Sequence, residues 1–598
     1  MRTLGRIALT VVALIALLHP VIFGAFGSSS ASTQTDPVVI SDYQGQFTVT
    51  PGGDLIATET LIADFPSSPA KHGIFRFFDT TIRAAPNVRL SVDVTDITMD
   101  GQPVNYSLSS ESDGRYLVAK IGDPNSYVNP GAHTYVISYQ IPDMLLAPDT
   151  GEGSFASSAG TAPTDAKSVF YWNVVANGWR MSIDRATAVV KLPEAAAYVQ
   201  CSAGSATGPC QISGQGTDTI TLSSGALAPM TGMTTRIPLL NEQPTAKTLP
   251  WSATLDPVLG RSVPLAALVG LLTVLGAAAG AFWEWRSREA KPGFPVMYSP
   301  PQGLGPVQTV YMDTETVGDH ALVASLLRAA DLNLVKLFNN GDQWTVQGIT
   351  YPQYWATADP VTAAVGSALG LQNYGSSLTA DKSTAVGKML QAAQKSAVTA
   401  TKSWGQESKS VVSEPMEKLG KTLWLVAIVL AAVGLVGFFT PTMYGLPFAA
   451  FAIAGLGLRA AGVGTRRTQT GRRLWSESGG FRRMLSTPSS EQRFDFSARQ
   501  GTFITYLPYA VAFGVADKWA EKYRAEMHED PPIPMWYPMG YGTHGLFSSG
   551  GGFDSFSDSL SSTIGAYEAS QRSSSGSGGG GFSGGFGGGG GGGGGGSW

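Results

Sequence analysis

The residues with the most chemical promise in this sequence are His72 and Arg76, in Lys71-His-Gly-Ile-Phe-Arg76. A switchable imidazole near a guanidinium suits an anionic headgroup or a carboxylate. The same Gly-apolar-aromatic-Arg run equally suits a turn fixed by hydrogen bonds to backbone carbonyls. Trp172 and Trp179 would form a carbohydrate or lipid platform if exposed, and core packing between sheets if buried. Cys201 and Cys210 are the only two cysteines. An oxidising compartment would pair them across Gly204 and Gly208, whereas a reducing one would leave a buried free pair.

Catalysis needs a nucleophile with a base, a metal cluster or paired carboxylates at interpretable spacing. The six histidines, His19, His72, His133, His320, His528 and His544, are scattered along the chain. Met527-His528-Glu529-Asp530 lacks the second ligand of a helix-borne zinc site. Gly581-Phe-Ser-Gly-Gly585 matches a nucleophile elbow only formally, because no strand precedes it and no helix follows. We therefore expect no catalytic residue, cofactor or metal, and a protein that is not an enzyme.

Whatever these residues do, they are carried by a chain that a membrane divides. Charged residues make up 14% of its 598 positions and the net charge is −4, against about 25% charged in ordinary soluble domains. Arg2 and Arg6 precede an apolar run from Ile7 to Phe26, with small residues at Ser30, Ala31 and Ser32, which is the order of a secretory signal. Pro20 and Gly24 favour cleavage near Ser32, although the run is long enough to stay as an anchor. Val263 to Trp283 has no charge over a length that spans a bilayer, and Arg286, Arg288 and Lys291 put its end in the cytoplasm. Leu423 to Phe439, a turn over 440–445 and Leu446 to Leu458 read as a hairpin with both ends inside. Its second arm is short, so a re-entrant segment is the alternative.

Between Asp36 and about Pro250, short alternating runs separated by Gly, Pro, Asp and Ser predict antiparallel strands. Gln46–Thr50 turns through Pro51-Gly-Gly-Asp54 into Leu55–Thr60, and period two puts Tyr135, Ile137 and Tyr139 on one face. Such a sheet must bury that face on another, which predicts a sandwich. The pieces Glu59, Asp64-Phe65, His72-Gly-Ile-Phe-Arg76, Thr134-Tyr135, Tyr139, Tyr171-Trp-Asn173, Gly178-Trp179 and Leu192-Pro193 follow in an order that resembles the bacterial predicted membrane proteins grouped as domain of unknown function 2207. The resemblance implies that family's fold and, its activity being unknown, no catalytic residues. Met297–Pro306 and the stretch around Leu507–Gly514 resemble the family too.

Inside the cell, Asp319 is expected to cap a helix carrying Leu322, Val323, Leu326, Leu327 and Ala330. Leu334–Phe338, a turn at Asn339–Asp342 and Trp344–Ile349 then form a hairpin, which predicts a winged-helix-like module. With only Arg328 basic on the helix and Asp342 in the turn, nucleic acid is not its partner. Residues 355–421 read as a linker around one weak amphipathic helix, which lies on the bilayer or packs on the module. Phe503–Ala516 reads as a buried helix. From Ser548 the Gly- and Ser-rich composition predicts a disordered tail whose aromatic punctuation supports weak self-association.

The expected protein is thus a multidomain membrane protein in the plasma membrane. It comprises a signal peptide or anchor (1–32), an exported all-β sandwich-like domain (33–262), a transmembrane α-helix (263–283), a cytoplasmic α/β winged-helix-like module with its linker (284–422), a transmembrane helical hairpin (423–458), a cytoplasmic basic helical subdomain (459–547) and a disordered Gly-rich tail (548–598). Its expected partners are the lipid bilayer, an unidentified extracellular or envelope ligand and a cytoplasmic protein. The expected role is a scaffold or sensor coupling outside to inside, with a membrane-embedded enzyme or transport accessory as the alternative.

Overall fold

The computed structural model describes residues 2–24, 36–112, 114–204, 208–245, 248–339, 343–436, 442–487, 500–532, 534–536, 556–564 and 593–598. They fall into two compact units. One draws on 3–276, 429–450 and 581–598, the other on 277–428 and 451–580. The segment around Ser30–Ser32, residues 340–342 of the turn at 339–342 and 440–441 of the turn at 440–445, His544, and Gly581–Gly585 lie outside the described residues.

In the first unit, alternation sets the layers. Leu55–Phe65 buries every second residue, which puts Glu59 in the inward register with Leu55, Ala57, Leu61 and Ala63. Tyr135, Ile137 and Tyr139 share the buried face of Gly131–Ile141, which pairs antiparallel with Leu55–Phe65. An eight-stranded sheet runs in the order Gln211–Ser213, Thr219–Ser224, Ala186–Lys191, Val39–Val49, Leu55–Phe65, Gly131–Ile141, Asp93–Met99, Gln102–Pro103. One pair departs from the antiparallel expectation: Val39–Val49 runs parallel to Ala186–Lys191. A connection this long lets the later strand enter from the same end, which short turns forbid. A four-stranded sheet (Ser157–Gly160, Tyr198–Gly204, Gly232–Leu239, Ser168–Val175) and a five-stranded one share a single core with it. Cys201 and Cys210 are joined by a disulfide.

The five-stranded sheet corrects the tail assignment. Its order is Gly178–Trp179, Gly594–Ser597, Gly73–Asp79, Tyr116–Gly122, Tyr106–Glu111, so the end of the glycine run is a strand between two elements that lie far back in the sequence. Glycine cannot build a core of its own, but nothing prevents its backbone from completing another sheet. Residues 556–564, inside the same expected disordered stretch, are helical. Phe556 packs on Trp344, with ring centroids 4.9 Å apart.

Two described helices are long and apolar enough to cross a membrane, Val263–Arg286 and Pro415–Leu435. The second begins well before Leu423 because Lys418 and Lys421 continue its first turns. The arm that follows is a nine-residue helix, Leu446–Ala454, about 13 Å at 1.5 Å per residue. Arg2–Gly24 is also helical, and within the first unit Leu17 clusters with Val258, Ala431, Leu435 and Ala449.

In the second unit, helices Pro306–Thr314 and Ala321–Asp331 precede an antiparallel pair, Val335–Asn339 with Trp344–Gly348, and Ser377–Thr379 adds a third strand. The Ala321 helix starts from His320 with no side-chain cap, not from Asp319. Residues 355–421 are not a linker. Trp355, Val361, Val365 and Leu378 enter the core, and helix Thr384–Glu407 packs Leu390, Ala393 and Ala397 into it. Small residues there made the pattern look weak, yet they let helices approach closely. Helix Gln500–Ala512 buries Phe503 and Leu507.

Candidate strand-recognition site

The site grows from strand Gly73–Asp79. Its inward side is anchored by Arg76, whose Nε and Nη2 donate to both carboxylate oxygens of Glu59 at 2.8 and 2.7 Å, while the Tyr139 hydroxyl donates to the same carboxylate at 2.8 Å. Both charged side chains are almost wholly buried. Burial works against the charged guanidinium, but Glu59's charge and hydrogen bonds outweigh it and hold Arg76 above the ordinary arginine range. Burial likewise lifts the phenols of Tyr43 and Tyr139 well above theirs. The guanidinium lies over Phe78 at 4.4 Å and near Trp179 at 5.6 Å. With the guanidinium and the carboxylate engaged with each other inside the core, this cluster fixes a strand and offers no open face to a substrate.

On its outer edge the same strand pairs antiparallel with Gly594–Ser597, with Phe77 opposite Gly594, Arg76 opposite Gly595, Phe75 opposite Gly596 and Ile74 opposite Ser597. On the other side Gly178 and Trp179 pair parallel with Gly594 and Gly595. The Gly178 and Arg180 amides donate to the Gly593 and Gly595 carbonyls at 2.9 and 2.8 Å, and the His72 amide to the Trp598 carbonyl at 2.6 Å. Ser597 is held by Asp36, its amide at 2.6 Å from one carboxylate oxygen and its hydroxyl at 2.5 Å from the other. The Trp598 indole donates to the Ile121 carbonyl at 3.2 Å, stacks on His72 and lies 3.6 Å from the Lys120 ammonium. A cavity of about 390 Å³ adjoins the strand, lined among others by Phe77, Tyr116, Arg180 and Met230.

His72 and Arg76 therefore serve different places. The imidazole Nδ1 meets the Ser126 carbonyl at 2.9 Å and its ring stacks on Tyr127, at the edge of the slot. Arg76 is in the core. Trp172 and Trp179 are buried, which excludes an exposed platform, although the Trp179 ring forms the floor against which Gly595 lies. Reading the sequence alone missed Asp36, Lys120 and the whole segment 593–598, and gave Gly178 only as a piece of the family resemblance. The available signal was Ser597-Trp598, two residues with specific side chains after a run with none.

A second ionic cluster occupies the helical unit. Arg467 contacts Glu289 at 2.8 Å and Glu315 at 3.2 Å, donates to the Met312 carbonyl at 3.0 Å and lies 3.9 Å over Trp475. Burial raises the Glu315 pKa, and the Arg467 charge opposes that shift. Among the described residues no group of three His, Cys, Asp or Glu is placed to hold a metal ion.

No curated protein matches the chain. Solved structures similar to part of it include leukotriene A4 hydrolase from Saccharomyces cerevisiae, at 10% identity and a TM-score of 0.22 over 36% of this chain and 32% of that one. An M1 zinc metallopeptidase from Deinococcus radiodurans is 13% identical, with a TM-score of 0.19 over 34% and 42%. The chain spans less than half the length of either, and likenesses this distant carry no argument about activity. Residues 39–238 match the N-terminal domain, and residues 295–523 the C-terminal domain, of the predicted membrane protein family DUF2207. These matches cover more than half of the sequence, so the chain belongs to that family of predicted membrane proteins.

Proposed function

We propose that this protein is a non-enzymatic membrane protein in which an exported, sandwich-like β domain recognises an extended polypeptide and is coupled through its spans to cytoplasmic docking surfaces. The observation that carries this reading is the strand-shaped slot between Gly73–Asp79 and Gly178–Trp179, where backbone amides and carbonyls face a guest strand on both sides. Strand addition of this kind supplies affinity through the main chain and selectivity through the flanking side chains. Exposed sheet edges are otherwise a liability that proteins cover.

The arginine and lysine residues after Val263–Arg286 and after the hairpin support a cytoplasmic helical unit by the positive-inside rule. Its three-stranded sheet and helices then form the docking side. Leu17, clustered with Val258, Ala431, Leu435 and Ala449, favours retention of the first helix as an anchor over its cleavage. The test is binding of a labelled peptide with the sequence of residues 589–598 to the purified protein truncated after Gly592. Saturable binding that a Ser-Trp-less peptide does not compete is expected. Absence of saturable binding overturns the reading, as does turnover of envelope lipid or peptidoglycan fragments by the full-length protein.

A further inference from the structure

We infer that the ligand of this slot is residues 593–598 of the same molecule, read as three consecutive positions without side chains followed at short distance by Ser597 and Trp598. The inference rests on the recognition reading above and adds the occupant and its sequence.

The first part of the code is steric. A methyl group on Gly593 would overlap the Phe77 carbonyl, on Gly594 the backbone of Gly178, and on Gly595 the Phe75 carbonyl and the Trp179 ring. These neighbours are backbone or a buried indole, so none can turn aside. Gly593 also has φ 71°, in the left-handed region that glycine enters freely. The restriction then relaxes, since a methyl on Gly596 would meet only the Asp36 carboxylate, at 3.2 Å, and the Arg180 side chain beyond it. The second part is chemical. Asp36 accepts both the amide and the hydroxyl of Ser597, an arrangement that alanine there would halve. Trp598 sits between His72 and Lys120 with its indole N–H satisfied by Ile121, a cation–π and stacking site that an aliphatic residue cannot fill.

The glycine run is thus matched to two backbones that leave room for nothing else. Ordering glycine is entropically expensive, and attachment to the same chain offsets that cost by raising the local concentration of the strand. Pairing within one molecule requires residues 593–598 to lie on the β domain's side of the membrane, whereas Phe556 packs on Trp344 in the helical unit, so on the proposed topology the chain between 565 and 592 must be carried across the bilayer. Residues 573–598 contain no Asp, Glu, Lys or Arg, so the positive-inside rule does not hold that stretch within the cell.

The experiment uses the full chain in intact cells, with Asp36→Cys and Ser597→Cys introduced together and Cys201 and Cys210 retained. Mild oxidation should join the new pair within a monomer, giving a species of altered mobility on a non-reducing gel that reduction restores. Adding Gly594→Val should lower the joined fraction at least tenfold, whereas Gly596→Ala should leave it nearly unchanged. A thermal melt of each purified variant shows that it is folded. No joining, joining only between two molecules, or joining indifferent to Gly594→Val overturns the inference. If joining fails while the truncated protein still binds the 589–598 peptide, the slot stands and its occupant is another polypeptide. If peptide binding fails too, the recognition reading falls with it.

Discussion

The two arginines at the centres of the two units, Arg76 and Arg467, have similar partners and different work. Arg76 meets one carboxylate in a bidentate pair whose side chains are 1% and 2% exposed, and it holds a strand whose outer edge pairs with Gly594–Ser597. Arg467 is shared between two carboxylates that are 14% and 11% exposed, and it ties Glu289, Glu315 and the Met312 carbonyl to the strand Thr465–Arg467. A single buried pair fixes one element's position. A shared, wetter cluster ties several segments together and spreads the loss when one contact goes. The first arrangement suits a site that must keep its shape when empty, and the second a junction.

Substitutions would sharpen that contrast. Arg76→Ala leaves Glu59 charged, buried and without its partner, so unfolding of the β domain should become easier by about 3–5 kcal/mol, read as a lower melting temperature. A double change of Arg76→Met with Glu59→Leu should recover most of that loss, because it removes the buried charge altogether. Arg467→Ala should cost less, about 1–3 kcal/mol of the kind lost with a charged hydrogen bond, since Glu289 and Glu315 retain some access to water. Equal losses at the two sites would erase the distinction.

The disulfide gives a comparable but more local effect. In the chain-entropy account, closing a loop of sequence separation 9 is worth about 2–3 kcal/mol, so Cys201→Ser with Cys210→Ser should lower the β domain's melting temperature and leave the helical unit's unchanged. Non-reducing mass spectrometry that finds free thiols in the intact protein would count against both the bond and an exported location.

The smallest effect concerns Lys522, whose ammonium is buried and donates to the Met484 carbonyl at 2.7 Å. Burial lowers its pKa to about 8. A lysine depressed below its unfolded value of about 10.4 binds its proton less well when folded. The charged form therefore penalises folding below about pH 8, and the penalty is relieved as pH rises from there towards 10. Thermal stability of the helical unit should increase slightly over that window, and Lys522→Met should abolish the increase.

Much of the architecture was readable. Charge-free runs marked the two long apolar helices, and alternation put Tyr135, Ile137 and Tyr139 on a common buried face. The short pieces that carried the family resemblance included Glu59, Arg76, Tyr139 and Trp179, and these converge on one cluster. That convergence was not readable, because packing of two sheets brings Arg76 to Glu59 across 17 positions and strand pairing within one sheet brings Tyr139 to Glu59 across 80, and no local pattern encodes either. Position Glu59 did offer a hint as a carboxylate in the apolar register of its strand. The helix Thr384–Glu407 was undervalued because alanine and glycine at its contacts weaken the apolar pattern while improving the packing. The slot was invisible for a different reason. A glycine run has no periodicity, so its pairing partner can be found only from the two backbones that exclude everything else.

On the proposed reading, the edge of Gly73–Asp79 and the residues after Asn177 form a receptor for a strand. Hydrogen exchange at the amides of His72, Gly178 and Arg180 tests it most directly, since these three donate to carbonyls of residues 593–598. Their exchange should be slow in the full-length protein, accelerate at least tenfold after truncation at Gly592, and slow again when the 589–598 peptide is added. Exchange that is fast in the full-length protein, or that truncation leaves unchanged, would contradict it.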